Sequence, residues 1–293
     1  MRTGFVSLVG RPNAGKSTLL NRIVGSKLAI VSDKPQTTRN RILGVKNYPD
    51  GQIIFTDTPG IHRPLHRMNV RMVDLAVEAA RQADLIGLVR DAGIPAGSGD
   101  RFVRDLLAKL KVPVVLILNK IDRLAKPRLL PMIEAARSAF PFVEIVPVSA
   151  LDGTNVDRLE RALLDHLPEG DALYPHDYVT DQPERFFVAE IVREKVLEST
   201  RDELPFSTAV VVDRFEEPDE KGLMRLYCSI LVERESQKGI LVGRAGDMIK
   251  RIGTAARLDL ERFFQARVYL DLRVKVRSQW REDDRVLNEL GMK

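Results

Sequence analysis

The sequence predicts an α/β domain with a mostly parallel sheet and helices on both faces, followed by a smaller α+β domain. Three observations predict it. Through about residue 170, continuous Val/Ile/Leu runs alternate with amphipathic stretches of helical length, the pattern of parallel strands joined by helical crossovers. EGDALYPHDYVTDQPE (169–184) is rich in Pro, Asp and Gly, has no periodicity, and reads as a linker. Beyond it the order of elements becomes α-β-β-α-α-β with a tail helix. At 293 residues, two domains that each bury a core are expected. Their bounds are expected at 1–170 and 184–293, with 171–183 between them.

Each element has its own signal. The strand candidates of the first domain are FVSLVG (5–10), QIIFTD (52–57), LIGLV (85–89), VPVVLIL (112–118) and FVEIVPVS (142–149). Helices are expected between and after them at 16–25, 68–82, 99–110, 127–139 and 155–167. In the second domain a helix at 184–199 leads to a strand at 208–214, a turn in EEPDEKG, and a strand at 223–234. Two short helices come next, then a strand at 267–277 with clear alternation (VYLDLRVKV), then a helix at 279–290.

Composition excludes several classes. With 44% hydrophobic and 30% charged residues the chain reads as soluble and globular. No run reaches the apolar length of a membrane span, and GFVSLVG begins at once without a basic-then-apolar leader. Cys228 is the only cysteine, so no intrachain disulfide forms and a cytoplasmic home is expected. In LMRLYCSILV it reads as a buried strand residue. His62, His66, His166 and His176 lack a metal-ligand spacing, so zinc is not expected. The net charge of +5 is unevenly spread: residues 236–281 hold eleven Lys/Arg against four acids, and residues 181–235 eight against fourteen. Such a division suits a face for a polyanion, or equally a solvated surface of mixed sign.

LVGR occurs twice, at 8–11 and 241–244, and the residues after each copy tell the two apart. The first continues as Gly10-Arg11-Pro12-Asn13-Ala14-Gly15-Lys16-Ser17-Thr18, which satisfies the phosphate-loop pattern between a strand and a helix. Glycines let backbone N–H groups wrap a phosphate, and the helix N-terminus adds positive potential. Lys16 supplies charge for the β- and γ-phosphates and the Ser17 hydroxyl can ligate Mg²⁺. Asn119-Lys120-Ile121-Asp122 closes the most hydrophobic strand, where α/β sheets present ligand loops. Asp122 can accept from the N1–H and exocyclic amine of guanine, a donor pair that adenine lacks, so GTP and GDP are the expected nucleotides. Ser149-Ala150-Leu151 can add backbone donors to the base. Asp57-Thr58-Pro59-Gly60 ends another strand: its aspartate can hold the Mg²⁺ shell and its glycine N–H can meet the γ-phosphate. Lys34-Pro35-Gln36-Thr37-Thr38-Arg39 offers two hydroxyls, and we take Thr38 as the one that closes on Mg²⁺ when the γ-phosphate is present.

These motifs in this order resemble the translation-factor-related GTPases. With TDQPERFFVAEIVREKVL (180–197), ELPFSTAVVVDRF (203–215) and the second LVGR region, the resemblance narrows to the Era family of bacterial ribosome-assembly GTPases and runs over nearly the whole chain. It implies a P-loop GTPase domain followed by a type II KH domain, GTP hydrolysis to GDP and phosphate, and binding of the 3′ end of 16S rRNA during maturation of the 30S subunit. Ile61 stands where Ras-like enzymes place a water-orienting glutamine, so intrinsic hydrolysis is expected to be slow. The family shares that replacement. In related GTPases an asparagine at the place of Asn13 helps bind K⁺. Asn13 has either that role or only the shaping of its loop. Catalysis is therefore expected from Asn13, Lys16, Thr38, Asp57 and Gly60, with nucleotide contacts extending through Ile61 and Leu151.

The second copy, Gly243-Arg244-Ala245-Gly246, lacks the lysine-serine continuation. It sits where a KH domain keeps its GxxG, a turn that lets a single-stranded RNA backbone approach. Ile240 and Ile249, with Ile252, could line the groove for bases, although a stripe at helical spacing is also partly core. Lys238, Arg244, Lys250 and Arg251 supply charge for phosphates. Family members often carry lysine where Ala245 stands, and an apolar residue where Arg90 stands. The alternative reading is a regulatory GTPase whose basic module binds protein or anionic membrane, and Era proteins also have an inner-membrane fraction. The acidic tail helix argues against lipid as main partner. A monomer is expected, with nucleotide state setting RNA affinity through movement at the linker.

Overall fold

The structure is a computed structural model that describes every residue except Lys293 and Pro35, the latter in the 34–39 loop. The chain forms two compact units: Met1–Leu65 with Asn69–Asp181, and His66–Met68 with Gln182–Lys293.

The first unit is built on β1 (Arg2–Gly10), α1 (Lys16–Val24), β2 (Ile42–Tyr48), β3 (Gly51–Asp57), α2 (Arg67–Gln82) and β4 (Leu85–Asp91). It continues through α3 (Ser98–Leu107), β5 (Val114–Asn119), α4 (Leu129–Ala139), β6 (Glu144–Pro147) and α5 (Val156–Asp165). The strands form one sheet in the order β2-β3-β1-β4-β5-β6. All neighbours are parallel except β2 and β3. Strands β3 and β5 are buried along their whole length, which is why they read as unbroken apolar runs rather than alternations.

Strand β2 is a departure from expectation. ILGVKNY carries Gly44, Lys46 and Asn47, residues that weaken the strand signal, and it is held by a seven-pair antiparallel register with β3. Its outer edge explains a second departure. The stretch expected as a linker is laid along the first unit as far as Asp181. The Val45 N–H donates to Val179 O at 2.8 Å, Thr180 Oγ1 donates to Leu43 O at 2.6 Å, and Tyr174 stacks on Tyr178. An edge strand left bare offers unpaired backbone groups, and this segment covers them.

The second unit comprises α6 (Glu184–Ser199), a single turn α7 (Leu204–Ser207), β7 (Ala209–Glu216) and β8 (Leu223–Val232). It ends with α8 (Glu235–Val242), α9 (Asp247–Phe264), β9 (Arg267–Val276) and α10 (Asp284–Glu289). The sheet order is β7-β8-β9, antiparallel then parallel. The topology is the α-β-β-α-α-β expected, but α9 has 18 residues rather than being short, and the tail is a 3₁₀ turn at Trp280–Glu282 followed by α10. Val188, Val192, Leu226, Ile230, Ile252 and Leu260 meet in its core. Cys228 lies buried on β8 as expected, its thiol pushed up to about 12 by burial and by the charges of Asp213 and Asp271. Among the described residues no helix is long and apolar enough to cross a membrane.

Candidate functional site

The phosphate loop turns from β1 into α1 through residues that accept left-handed backbone. Asn13 has φ 62° and Gly15 φ 93°, and a Cβ on Gly15 would collide with the Asn119 amide nitrogen. Only glycine meets both demands there. Lys16, the first residue of α1, is buried, and its Nζ donates to Arg11 O at 3.3 Å. Three oxygens gather beside it. Ser17 Oγ donates to Asp57 Oδ2 at 2.6 Å and lies 2.8 Å from Thr38 Oγ1, while Thr38 Oγ1 donates more weakly to Asp57 Oδ2 at 3.4 Å. Asp57 Oδ1 is buried without a hydrogen-bond donor. A hard divalent cation takes such oxygen donors, so the residues present fit Mg²⁺. Thr37, the other hydroxyl of the loop, donates to Lys34 O at 2.6 Å.

Burial lowers the pKa of Lys16 and raises that of Asp57, and each charge opposes the other's shift. The space among Lys16, Ser17, Thr38 and Gly60 is about 50 Å³. It is small because Lys16 folds back on Arg11 and the three oxygens close on one another. Gly60 packs on the phosphate loop so tightly that a Cβ would lie 2.6 Å from Pro12 N. Thr58 Oγ1 is spent on Leu8 O at 2.8 Å, which pins the Asp57–Gly60 turn to β1.

Asn119 ties the base side to the phosphate side. Its Nδ2 donates to Ala14 O at 2.9 Å, and its Oδ1 accepts from the N–H groups of Lys120 at 2.8 Å and Ala150 at 2.9 Å. Lys120 adds a second tie: its Nζ donates to Asn13 O and pairs with Asp91, both at 2.7 Å. Asp122 Oδ1 accepts from Ser149 Oγ at 2.7 Å, which fixes the plane of the carboxylate. Leu151 is exposed. These residues come from three separate loops, and the sheet order brings β1, β4 and β5 side by side beneath them.

The second LVGR lies in the other unit. Gly243 (φ 74°), Ala245 (φ 52°) and Gly246 (φ 80°) all hold positive φ, making a tight link between α8 and α9. Ile240 is 51% exposed and Ile252 fully buried, so the isoleucine stripe divides between surface and core, with Ile249 at its margin. The basic residues divide too. Lys275 pairs with Asp213, Arg277 with Asp283, and Arg281 with Glu233. Lys238 reaches Glu235 only at 3.9 Å. Arg244, Lys250 and Arg251, around the link, have no carboxylate partner among the described residues. Three bases without carboxylate partners therefore flank the glycine link.

A model of 50S ribosome-binding GTPases matches residues 5–120, and a KH-domain model matches residues 203–281. GTPase Era of Geobacter metallireducens is 50% identical over 290 residues, 99% of this chain and 97% of that protein. GTPase Era of Geotalea daltonii is 50% identical over 289 residues, with the same coverage. This chain belongs to the GTPase Era family. It is a GTPase with a P-loop domain and a KH domain, and the β8/β9 parallel pairing belongs to the latter. A variant of Era from Aquifex aeolicus bound to GDP·AlF₄⁻ is 41% identical, with a TM-score of 0.96 over 100% of this chain and 99% of that one. The same figures hold for Era in complex with MgGDPNP and nucleotides 1506–1542 of 16S rRNA.

Among the expected nucleotide positions of this Era-family chain, Ile61 offers its main chain rather than its side chain. Its side chain is 1% exposed and packs with Val9, Ala76, Ala80, Ile86 and Leu88. An apolar side chain next to the Asp57–Gly60 turn gains more from that core than from a polar phosphate site, and only its N–H faces the loop, donating to Gly10 O. The side chain of Ile121 likewise packs on the core beneath β5. His62 stands beside the Asp57–Gly60 turn. Its Nδ1 lies 2.9 Å from Gly60 O and its Nε2 2.8 Å from Asn69 Nδ2.

Proposed function

We propose that this chain binds Mg·GTP in its first unit, hydrolyses it to GDP and phosphate, and uses that cycle to control how its KH unit holds the 3′ end of 16S rRNA during 30S maturation. The observation that carries the nucleotide half is the Ser17–Thr38–Asp57 cluster beside buried Lys16. Bound Mg²⁺ supplies charge for the β- and γ-oxygens, held by Ser17, Thr38 and Asp57. Lys16 neutralises the developing charge from the other side, and the Gly60 N–H binds a γ-oxygen. Asp122 and the loop at Ser149–Leu151 select guanine. Because Ile61 is in the core, hydrolysis rests on positioning and electrostatics. Asn13 spends its Nδ2 on Asp33 O, which leaves Oδ1 as the atom for a K⁺ ion. Turnover that is equal in KCl and NaCl would leave Asn13 as a loop-shaping residue alone.

The RNA half is supported by the unpaired Arg244, Lys250 and Arg251 around Gly243–Gly246, by exposed Ile240, and by the 16S rRNA fragment bound to a 41% identical relative. Two experiments test the reading. Lys16→Ala is expected to abolish GTP turnover, and persistent turnover would remove the site assignment. A labelled oligonucleotide from the 3′ end of 16S rRNA is expected to bind more tightly with GMPPNP than with GDP, to exceed a scrambled control at equal salt, and to be lost in Gly246→Asp. Equal binding of both sequences in both states would instead favour a basic module that meets any polyanion, a lipid surface included.

A further inference from the structure

A second cavity of the first unit, larger than the space at the phosphate loop, lies between two of its helices. It measures about 640 Å³ and lies above β4 and β5, walled by α3 on one side and α4 on the other. The size falls within the range of small-molecule sites and equals the share of about twenty waters in the liquid. Its body is apolar, with Leu88, Val103, Leu116, Met132 and Phe142 among its lining. On the α4 side Ala135, Ala136 and Ala139 present only methyls, and this keeps the gap between the helices open.

The rim has a different chemistry. Arg11, Arg90, Arg104 and Arg128 all line the cavity, and its one acidic residue, Asp100, is already claimed by Arg11 at 3.1 Å. Arg90, Arg104 and Arg128 have no carboxylate partner among the described residues. Nε of Arg90 and Nε of Arg104 are buried without an acceptor. Their other contacts are backbone carbonyls at the limit of hydrogen bonding, Ile94 O at 3.4 Å and Ala139 O at 3.5 Å. A buried donor without an acceptor is costly and needs a reason. Two of them, on facing elements of one apolar cavity, suggest an acceptor supplied from outside the chain. Arg90 is also the residue whose place in β4 the sequence left without explanation.

We propose that this cavity is a binding site for an amphipathic monoanion: an aliphatic body of about ten carbons in the apolar space, and a carboxylate taken by Arg90 and Arg104. The guanidinium fork matches a carboxylate in two-point fashion, and charge-assisted bonds of this kind are about twice as strong as neutral ones. The site shares Arg11 with the edge of the phosphate loop, but its apolar body and the Arg90–Arg104 pair lie outside that loop and do not depend on the nucleotide reading.

The test is calorimetric titration of the full chain, saturated with GDP, with decanoate below its micelle concentration. Decyltrimethylammonium serves as the same-chain cation. Decanoate is expected to bind saturably with one site, and the cation is expected not to. Arg90→Leu combined with Arg104→Leu is expected to weaken decanoate by at least about tenfold, as loss of a charge-assisted pair requires. Ala139→Leu, which narrows the cavity beside Arg104 while leaving every arginine in place, is expected to weaken decanoate binding with an unchanged Tm. Equal binding of anion and cation, an unaffected double variant, an unaffected Ala139→Leu, or absence of saturable decanoate binding would each overturn the proposal.

Discussion

Asn119→Ala is the substitution with the sharpest expected outcome, because one buried amide makes three bonds that join three loops. Asn119 is 1% exposed, and two of its partners, Ala14 and Ala150, are 2% exposed each. Alanine leaves the Ala14 carbonyl and the Ala150 N–H buried and unpaired. At about 1–3 kcal/mol for each such group, the first unit should lose about 2–6 kcal/mol. That is within the stability of a typical domain, so the variant should still fold. For a unit of this size the loss corresponds to a fall in Tm on the order of 10 °C. GDP affinity should fall by at least tenfold, since the phosphate loop and the base loop lose their shared tie. The assay exploits the chain's single tryptophan. Trp280 is fully buried in the second unit, donating to Ser207 O at 3.0 Å, so its fluorescence reports on that unit. Bound mant-GDP reports the first, and a far-UV circular dichroism transition that Trp280 does not share is the first unit's. A first-unit transition that does not move, together with unchanged GDP affinity, would refute the argument that Asn119 carries the connection.

Other outcomes rest on specific contacts. Gly60→Ala places a Cβ 2.6 Å from Pro12 N, so we expect turnover to fall on the order of 100-fold while GDP binding changes little; a kinetic series with mant-GDP titration checks both. Gly243→Ala and Gly246→Ala share the strain of a positive φ, about 1–2 kcal/mol, but only at Gly243 does the new Cβ meet Met248, 2.8 Å from its N. Urea unfolding monitored by Trp280 should therefore show the larger loss for Gly243→Ala. The Cys228 thiol is pushed up to about 12 from an ordinary 9.0, so between those values the folded state holds a proton that the unfolded state releases. Its contribution is complete below pH 9 and lost as pH rises, by about 1.4 kcal/mol per unit. The stability gap between wild type and Cys228→Ala should narrow by roughly 1 kcal/mol from pH 8 to pH 10, and a constant gap would contradict the burial argument.

Much of the site was legible because its chemistry constrains residue type at fixed spacing. Phosphate loop, DTPG turn, NKID and Ser149–Leu151 are each short and local, and each sits at the end of a strand whose apolar run announced it. The structure adds what local reading cannot reach: Asn119 bonded to Ala14, 105 positions away in sequence, and Lys120 to Asn13. Strand β2 was missed because its evidence is not in its own residues but in its pairing with β3. The path of the segment after residue 170 is hidden for the same kind of reason. Residues 171–181 look like linker by composition, and only the open edge of β2 explains why Val179 and Thr180 are held. Ile61 shows a further limit: its place after a motif marks the position, while the burial of its side chain is set by the core.

The two LVGR stretches show how little of a function lies in the shared letters. Both place glycines where the backbone must turn with positive φ. After the first, the turn is closed from every side: Gly15 against Asn119, Gly60 against Pro12, Lys16 folded back on Arg11. That enclosure suits a compact ligand whose charge must be met from all directions. After the second, Gly246 has no atom within 4 Å of where a Cβ would stand, and the nearest cations, Arg244, Lys250 and Arg251, lie around it without acid partners. An open turn with unpaired positive charge cannot grip a small phosphate ester, but it can admit the backbone of a long strand passing over it. The difference between holding a nucleotide and holding a polynucleotide is therefore made by what encloses the glycines, and a substitution that adds bulk at Gly15 or at Gly246 tests the two separately.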